Sequence, residues 1–210
     1  MIKVWMLTLS GWMIWMAPQQ KLTLQEENVF KKGMQQRMST LETLSSEFEQ
    51  IRHLDFMDQP IRNKGTFHYK KPHHIRWNIG STDQNSLILD DKFAYQIQEG
   101  KSRKMALQSN RGFKPLQQLL QRNTLDNNLF NEEAFSFSFF KQGQKVRIEM
   151  VPKDKNLSAL FEKIEVIVDA KTYLIQELKL LEKAKNVTLI TFQHQQINGS
   201  LPSSTFQIKP

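Results

Sequence analysis

Cysteine is absent from the 210 residues, which excludes a disulfide framework, a thiolate metal site, a cysteine nucleophile and a thioether-linked lipid anchor on the chain itself. Also missing are a Gly-x-Ser-x-Gly elbow, a glycine-rich phosphate loop ahead of a helix, and a His-Glu-x-x-His pair. The five histidines, His53, His68, His73, His74 and His194, show no metal-ligand spacing. The adjacent pair His73 and His74 points to opposite faces of a strand and cannot easily share an ion. Glu47 and Glu49 can form a same-face carboxylate pair, but nothing marks a cleft around them, and solvated sheet surface explains them. No catalytic residue, metal site or cofactor is therefore nominated, and no enzymatic activity is expected.

The formal charge of +8 raises nucleic acid or anionic membrane as partners. The basic residues are spread along the chain, however, at Lys31, Lys32, Lys70, Lys71, Lys101, Arg103, Lys104, Lys153 and Lys155. No run reaches the length of a basic arm. Solvated surface is the first reading, adhesion to anionic headgroups the second, and a nucleic-acid partner is not expected.

Long apolar runs are confined to the N-terminus. Lys3 precedes the apolar stretch from Val4 to Ala17, and polar Gln19 and Gln20 follow. This is the layout of a signal peptide over residues 1–17, with cleavage at or before about residue 20. The stretch is shorter than the roughly 20 residues that span a bilayer and Gly11 interrupts it. Residues 21–210 are expected to form a single exported domain, located in the periplasm.

Within that domain, Leu24, Val29 with Phe30, Met34 and Met38 fall near one helical stripe, which predicts an amphipathic helix over residues 24–38. Period-two alternation then predicts strands over 44–54, 65–70, 75–79, 86–89 and 93–97, and another ending near Leu107. Pro72 ends the second because proline donates nothing to a ladder. Gly112 and Pro115 open a helical piece over 116–121, followed by an Asn-rich stretch at Asn123, Asn127 and Asn128. Strands resume at 135–140 and 146–151, one helical turn fits 157–160, and further strands fit 161–168, 174–181 and 187–193. A short final strand ends at Ile208. About ten or eleven short strands with few helices predict a mainly β (α+β) domain, a curved antiparallel sheet or barrel with helical cover.

The composition holds 14 Phe, 9 Met and 4 Trp in a chain of mean hydropathy -0.53. Most large apolar side chains are core. Two or three helices cannot fill the concavity of some ten strands, however, so an apolar hollow is expected, and flexible methionines suit one that repacks around varied chains. Candidate lining residues are Phe48, Phe67, Tyr69, Ile75, Trp77, Leu87, Leu89, Phe137 and Phe139.

Ser45-Ser46-Glu47-Phe48-Glu49-Gln50, then the run from Gly65-Thr66-Phe67 through Lys71-Pro72 to Ile75-Arg76-Trp77, resembles the outer-membrane lipoprotein carrier family, LolA. The shared pattern is Phe-x-Gln on the first strand, Gly-x-Leu/Phe, a basic residue before proline, and an apolar-x-Trp. Leu87 to Tyr95, Met150-Val151-Pro152-Lys153 and Ser204 to Pro210 resemble later family segments, so the likeness runs through nearly all of residues 21–210. It implies an incomplete β-barrel of about eleven strands with a helical lid over an apolar cavity. It further implies a monomeric periplasmic chaperone that takes acylated lipoproteins from an inner-membrane ABC transporter and hands them to an outer-membrane receptor or membrane. By position, Ile75 and Trp77 match cavity-facing residues. Lys71 matches a basic residue, commonly arginine, that hydrogen-bonds lid carbonyls; lysine lacks the planar fork of arginine, which implies a weaker latch. Asp91 stands where the family has a turn glycine. Two other classes compete: a lipoprotein- or lipid-sensing regulatory domain on the same fold, and a hydrolase, against which the missing nucleophile counts.

Overall fold

The computed structural model describes residues 20–72, 74–90, 92–106 and 129–208. The expected signal segment, the 116–121 helix, the Asn-rich stretch, His73, Asp91 and the last two residues lie outside them. Eleven strands form one antiparallel sheet: β1 (Thr43–His53), β2 (Ile61–Lys70), β3 (His74–Ile79), β4 (Ser86–Leu89), β5 (Phe93–Gln98), β6 (Lys101–Ala106), β7 (Phe135–Gln142), β8 (Lys145–Pro152), β9 (Phe161–Asp169), β10 (Ile175–Glu182) and β11 (Val187–Ile197). Their spatial order is β6-β5-β4-β3-β2-β1-β11-β10-β9-β8-β7. Two meanders are thus joined where β1 pairs with β11, β6 and β7 stand at the two ends of the order, and residues 20–22 bridge to β7 through Lys21 and Phe140. The fold is mainly β, an incomplete barrel that does not close.

Register carries one face across the whole sheet. Phe48 opposes Gly65 and Phe192, Phe67 opposes Trp77, and Tyr69 opposes Ile75. Ile75 and Trp77 oppose Leu89 and Leu87. In the other half Ile190 opposes Leu178, Leu178 opposes Val166, Val166 opposes Ile148, and Ile148 opposes Phe139. Successive side chains of a strand alternate faces, so all of these lie on one side. Gly65 is required there: a Cβ would stand 1.9 Å from the Asn78 carbonyl oxygen and 2.6 Å from the Phe48 ring.

Helix α1 (Leu24–Ser39) starts at a capping box between Thr23 and Glu26 and is the cover for this face. Phe30 and Met34 are buried among Phe135, Phe139, Ile148 and Val166, while Met38 and the following Leu41 pack on Tyr69, Ile75 and Leu89. The expected stripe is therefore corrected at its N-terminal end. Leu24 and Val29 are 81% and 63% exposed, because the helix seats through residues 30, 34 and 38 at spacing four. Gly33 leaves room for the Tyr173 ring, which a Cβ would meet at 2.2 Å. A short α2 (Lys155–Leu160), capped by Asp154, buries Leu157 at the β8–β9 crossover.

The expected final strand is also corrected. Ser203–Phe206 is a 3-10 helix, held against the outer face by Arg76. That side chain is buried, pairs with Asp83 at 2.8 Å, and donates to the Thr205 and Gln207 carbonyls at 3.0 and 3.2 Å. A segment whose carbonyls are taken by a guanidinium does not need a neighbouring strand. Phe206 packs on His74. Burial, then the charge of Arg76, pushes the nearby His68 imidazole below its ordinary pKa.

Arg76→Met leaves those carbonyls and Asp83 without their cation, and should cost about 2–4 kcal/mol. The expected result is a lower urea midpoint together with faster amide exchange over residues 203–208. An unchanged exchange pattern there would show that the tail is held by other contacts.

Candidate functional site

The two halves of the apolar face are buried separately. One cluster, under Phe30 and Met34, uses β7 to β9, with Leu178 and Leu180 of β10 packed against it. The other, under Met38 and Leu41, uses β2 to β5. Between them stands an aromatic junction on the central strands. The Phe48 ring lies 4.4 Å from Trp77, Phe67 lies 5.4 Å from Trp77 and 6.0 Å from Phe192, and Trp77 lies 6.0 Å from Phe192. Phe48 is buried, whereas Phe67, Trp77 and Phe192 are only half-buried.

All the residues expected to line a hollow share this face by register. They differ in what surrounds them. Tyr69, Ile75 and Leu89 are buried core beneath α1, as is Phe139 in the other half. Phe67, Trp77, Leu87 and Phe137 keep partly accessible surface. Phe137 stacks on Phe139 and meets Phe130 edge-on. Phe192 was not anticipated. The signal was present in the alternation Thr188, Ile190, Phe192, but its partner Phe48 lies in a strand remote in sequence, and only the β1–β11 register unites them.

Two cavities lie away from the Phe67, Trp77 and Phe192 side chains. One of about 390 Å³ lies under the N-terminal half of α1, lined by Leu22, Val29, Phe30, Val146 and Tyr173 with Lys141 and Lys145 at its margin. Another, of about 330 Å³, is bordered by Glu47, Glu49, Lys64, Gly80 and Gln193, with Phe48 as the one candidate residue touching it. Glu47 and Glu49 do not act as a carboxylate pair: His194 takes the first at 3.0 Å and Lys64 the second at 2.6 Å. No group of three or more potential metal-ligating side chains occurs among the described residues.

The helix over the apolar face is tied at both ends. At its N-terminus Glu26 pairs with Lys141 at 2.5 Å. The hydrogen bonds from Lys141 and from Thr23 hold its carboxyl at about 2. Lys31 pairs with Glu27 at 2.7 Å and lies above the Phe139 ring. At the C-terminus Arg37 donates to the Thr172 carbonyl at 2.9 Å and Asn198 to the Thr40 carbonyl at 3.0 Å. Lys71 donates to the Ser39 carbonyl at 3.3 Å and pairs with Glu42 at 3.0 Å. Burial, then Glu42, pushes the neighbouring Tyr69 hydroxyl above its ordinary pKa. Arg37, Asn198 and Glu26 gave no sign of this in the sequence, because each partner is a backbone carbonyl or, for Glu26, a lysine of the distant strand β7.

No curated protein sequence matches the chain. Among solved structures, an uncharacterized conserved protein from Thermus thermophilus is 6% identical over 88% of this chain and 94% of that one, with a TM-score of 0.53. The MucA/MucB complex of Pseudomonas aeruginosa is 10% identical over 85% of this chain and 59% of that one, with a TM-score of 0.50. A LolA superfamily protein from Nitrosomonas europaea is 7% identical over 86% and 96%, with a TM-score of 0.46. Identities this low speak for the fold alone. The family model described as outer membrane lipoprotein carrier protein LolA matches residues 39–209, the span that carries the unclosed eleven-stranded sheet and its aromatic junction, and the chain belongs to that family.

Proposed function

We propose that this protein is a periplasmic carrier that binds the acyl chains of lipoproteins and shuttles them from the inner to the outer membrane. The observation that carries this reading is the half-buried aromatic junction of Phe67, Trp77 and Phe192 on the inner face of an unclosed sheet, in a chain of the LolA family. An acyl chain of about fifteen carbons in water pays on the order of 10 kcal/mol, at about 0.8 kcal/mol per CH₂. An apolar face under a displaceable helix removes most of that cost without a nucleotide site. The donor is then an inner-membrane ABC transporter, the acceptor an outer-membrane receptor or the membrane itself, and the carrier works as a monomer. Residues 1–17 serve as the signal peptide that brings residues 21–210 to the periplasm.

A second reading, a lipoprotein- or lipid-sensing regulatory domain, draws support from the fold shared with MucB of the MucA/MucB complex. A carrier gives its lipid up to acceptor membranes; a sensor retains it while holding a protein partner. Native mass spectrometry of protein isolated from expressing cells separates these. Co-purifying lipoprotein or acyl lipid that is lost on adding acceptor membranes supports the carrier, and a lipid-free protein overturns both.

Trp77→Glu places a carboxylate where water is excluded once an acyl chain is bound, and desolvating it without a partner is costly. Binding of a triacylated lipopeptide should fall by more than tenfold while far-ultraviolet circular dichroism stays near wild type. Ile75 is a poorer probe because it is already core. Wild-type binding by Trp77→Glu would remove this face as the lipid site.

Lys71 acts in this reading as a latch on the C-terminal end of α1. Lys71→Leu should change stability by less than about 1 kcal/mol, since the pair is exposed, yet accelerate amide exchange in the last turn of α1 and speed lipopeptide release. Unaltered exchange and release would leave Lys71 without a latch role.

A further inference from the structure

Part of the basic excess stands together at one edge of the described sheet. Between Lys92 and Ala106 the described chain holds Lys92, Lys101, Arg103 and Lys104 against the single acid Glu99. Three of these four basic residues are on the edge strand β6. Lys101, Arg103 and Lys104 are exposed, and among the described residues none of them is paired with a carboxylate. Lys101 and Arg103 oppose Gln98 and Gln96, which continue the inner, apolar face, whereas Lys104 opposes Tyr95 on the outer side and rests on the Phe93 ring at 3.6 Å. The edge therefore presents cations to both sides.

A second, independent feature sits at the same end of the sheet. In an antiparallel order β6-β5-β4-β3-β2-β1, the β1–β2 loop and the β5–β6 turn emerge together. Their nearest strands, β2 and β5, are about 15 Å apart at the usual spacing of neighbouring strands. That loop carries Phe56, 81% exposed, followed by Met57, 43% exposed. Phe56 stands between Asp55 and the Met57–Asp58 pair, and the β6 cations lie four strand spacings, roughly 20 Å, along the sheet. A flat anionic bilayer spans that distance, and takes an apolar side chain at its acyl boundary at one point and ammonium or guanidinium groups on its phosphates at another.

We propose that the β6 edge, with the Phe56–Met57 loop, docks the protein on the surface of an anionic phospholipid bilayer and so brings the open inner face to the membrane. A charged edge also serves to prevent strand-to-strand aggregation, but that need is met without an exposed aromatic at the same end of the sheet. An acidic protein surface is the rival occupant; it offers no acyl layer to receive Phe56.

The test is sedimentation with vesicles of equal parts phosphatidylglycerol and phosphatidylcholine, or of phosphatidylcholine alone. It uses the protein in whatever processed form accumulates in cells expressing the full chain. The wild type should partition at least tenfold more strongly onto the anionic vesicles, and high salt should reduce this. At about fivefold per basic residue, the triple variant K101Q/R103Q/K104Q should lose on the order of 100-fold. The charge-keeping K101R/R103K/K104R should retain binding. K32Q/K70Q/K171Q, with the same net charge as the first triple, should lose less than fivefold. F56S should lose roughly tenfold on anionic vesicles. Equal losses for the two glutamine triples, wild-type binding by F56S, or no preference for phosphatidylglycerol would each overturn the proposal. The vesicles contain no lipoprotein, so this outcome and that of the lipopeptide experiment are independent.

Discussion

The pairing of β1 with β11 governs everything else in this molecule. These are the longest strands, 11 residues each, and they join two meanders that are otherwise built from neighbours in sequence. Phe48 meets Phe192 only through this register. Closing so long a loop is entropically expensive and slow, and the return is that two small apolar faces become one. The bulge at Gln193–Gln196 of β11, opposite Ser45 and Glu47 of β1, with His194 at φ 51°, adds local bend and twist at the junction, and the Ser46 hydroxyl lies within hydrogen-bond distance of the Glu47 and Gln193 carbonyls there.

From that union follows a mismatch of sizes. Eleven strands at about 4.8 Å spacing sweep roughly 50 Å of arc, whereas α1, with 16 residues, is about 24 Å long at 1.5 Å per residue. One such helix buries the part of each meander that it reaches, through Phe30 and Met34 on one side and Met38 on the other. The aromatic side chains on the central strands are left partly accessible. Their partial exposure is a consequence of geometry. Tight packing on the inner face elsewhere shows that the sequence has no general difficulty in filling space: Phe48, Phe139, Leu89 and Val168 are at most 1% exposed.

The strands were legible because a sheet with one dry face writes its period into the chain: Phe135, Phe137, Phe139 and Phe67, Tyr69 alternate as the structure requires. Their common face was legible in part. Trp77 and Leu87 could be placed, but Phe192 could not, since alternation assigns each strand two faces without saying which of them is inner. Thr205, Phe206, Gln207 and Ile208 alternate equally well and are not a strand, because Arg76, a residue of β3, takes the carbonyls. Leu24 and Val29 fit a helical stripe and face water, since the rotation of α1 is set by the sheet beneath Phe30. Each miss has the same origin: a long-range partner chose between local alternatives that the pattern left equal.

The outer face treats charge differently from the inner one, and the contrast bears on what the inner face can accept. On the outer side of β8 and β9, Arg147 and Lys163 stand among Glu149 and Glu165 in a closed set of ion pairs. Burial opposes the charge on Glu149, but hydrogen bonds from Arg147 and Lys163 outweigh it and hold its carboxyl below the ordinary range. On this part of the outer face cations and carboxylates are thus half-buried with partners. The registered inner positions of β2, β3, β4, β8 and β9 hold no charged side chain. Cationic side chains return to that face at its margins, as Arg52 near the end of β1, Lys101 and Arg103 on β6 and Lys141 on β7. A guest's charged group on the middle of this face would find no counter-ion and would lose its water, at a cost of several kcal/mol per ion even after relaxation. In the proposed carrier role the inner face therefore selects by exclusion: it suits an uncharged chain of any detailed shape, and leaves the anionic end of an amphiphile to the cations at the rim.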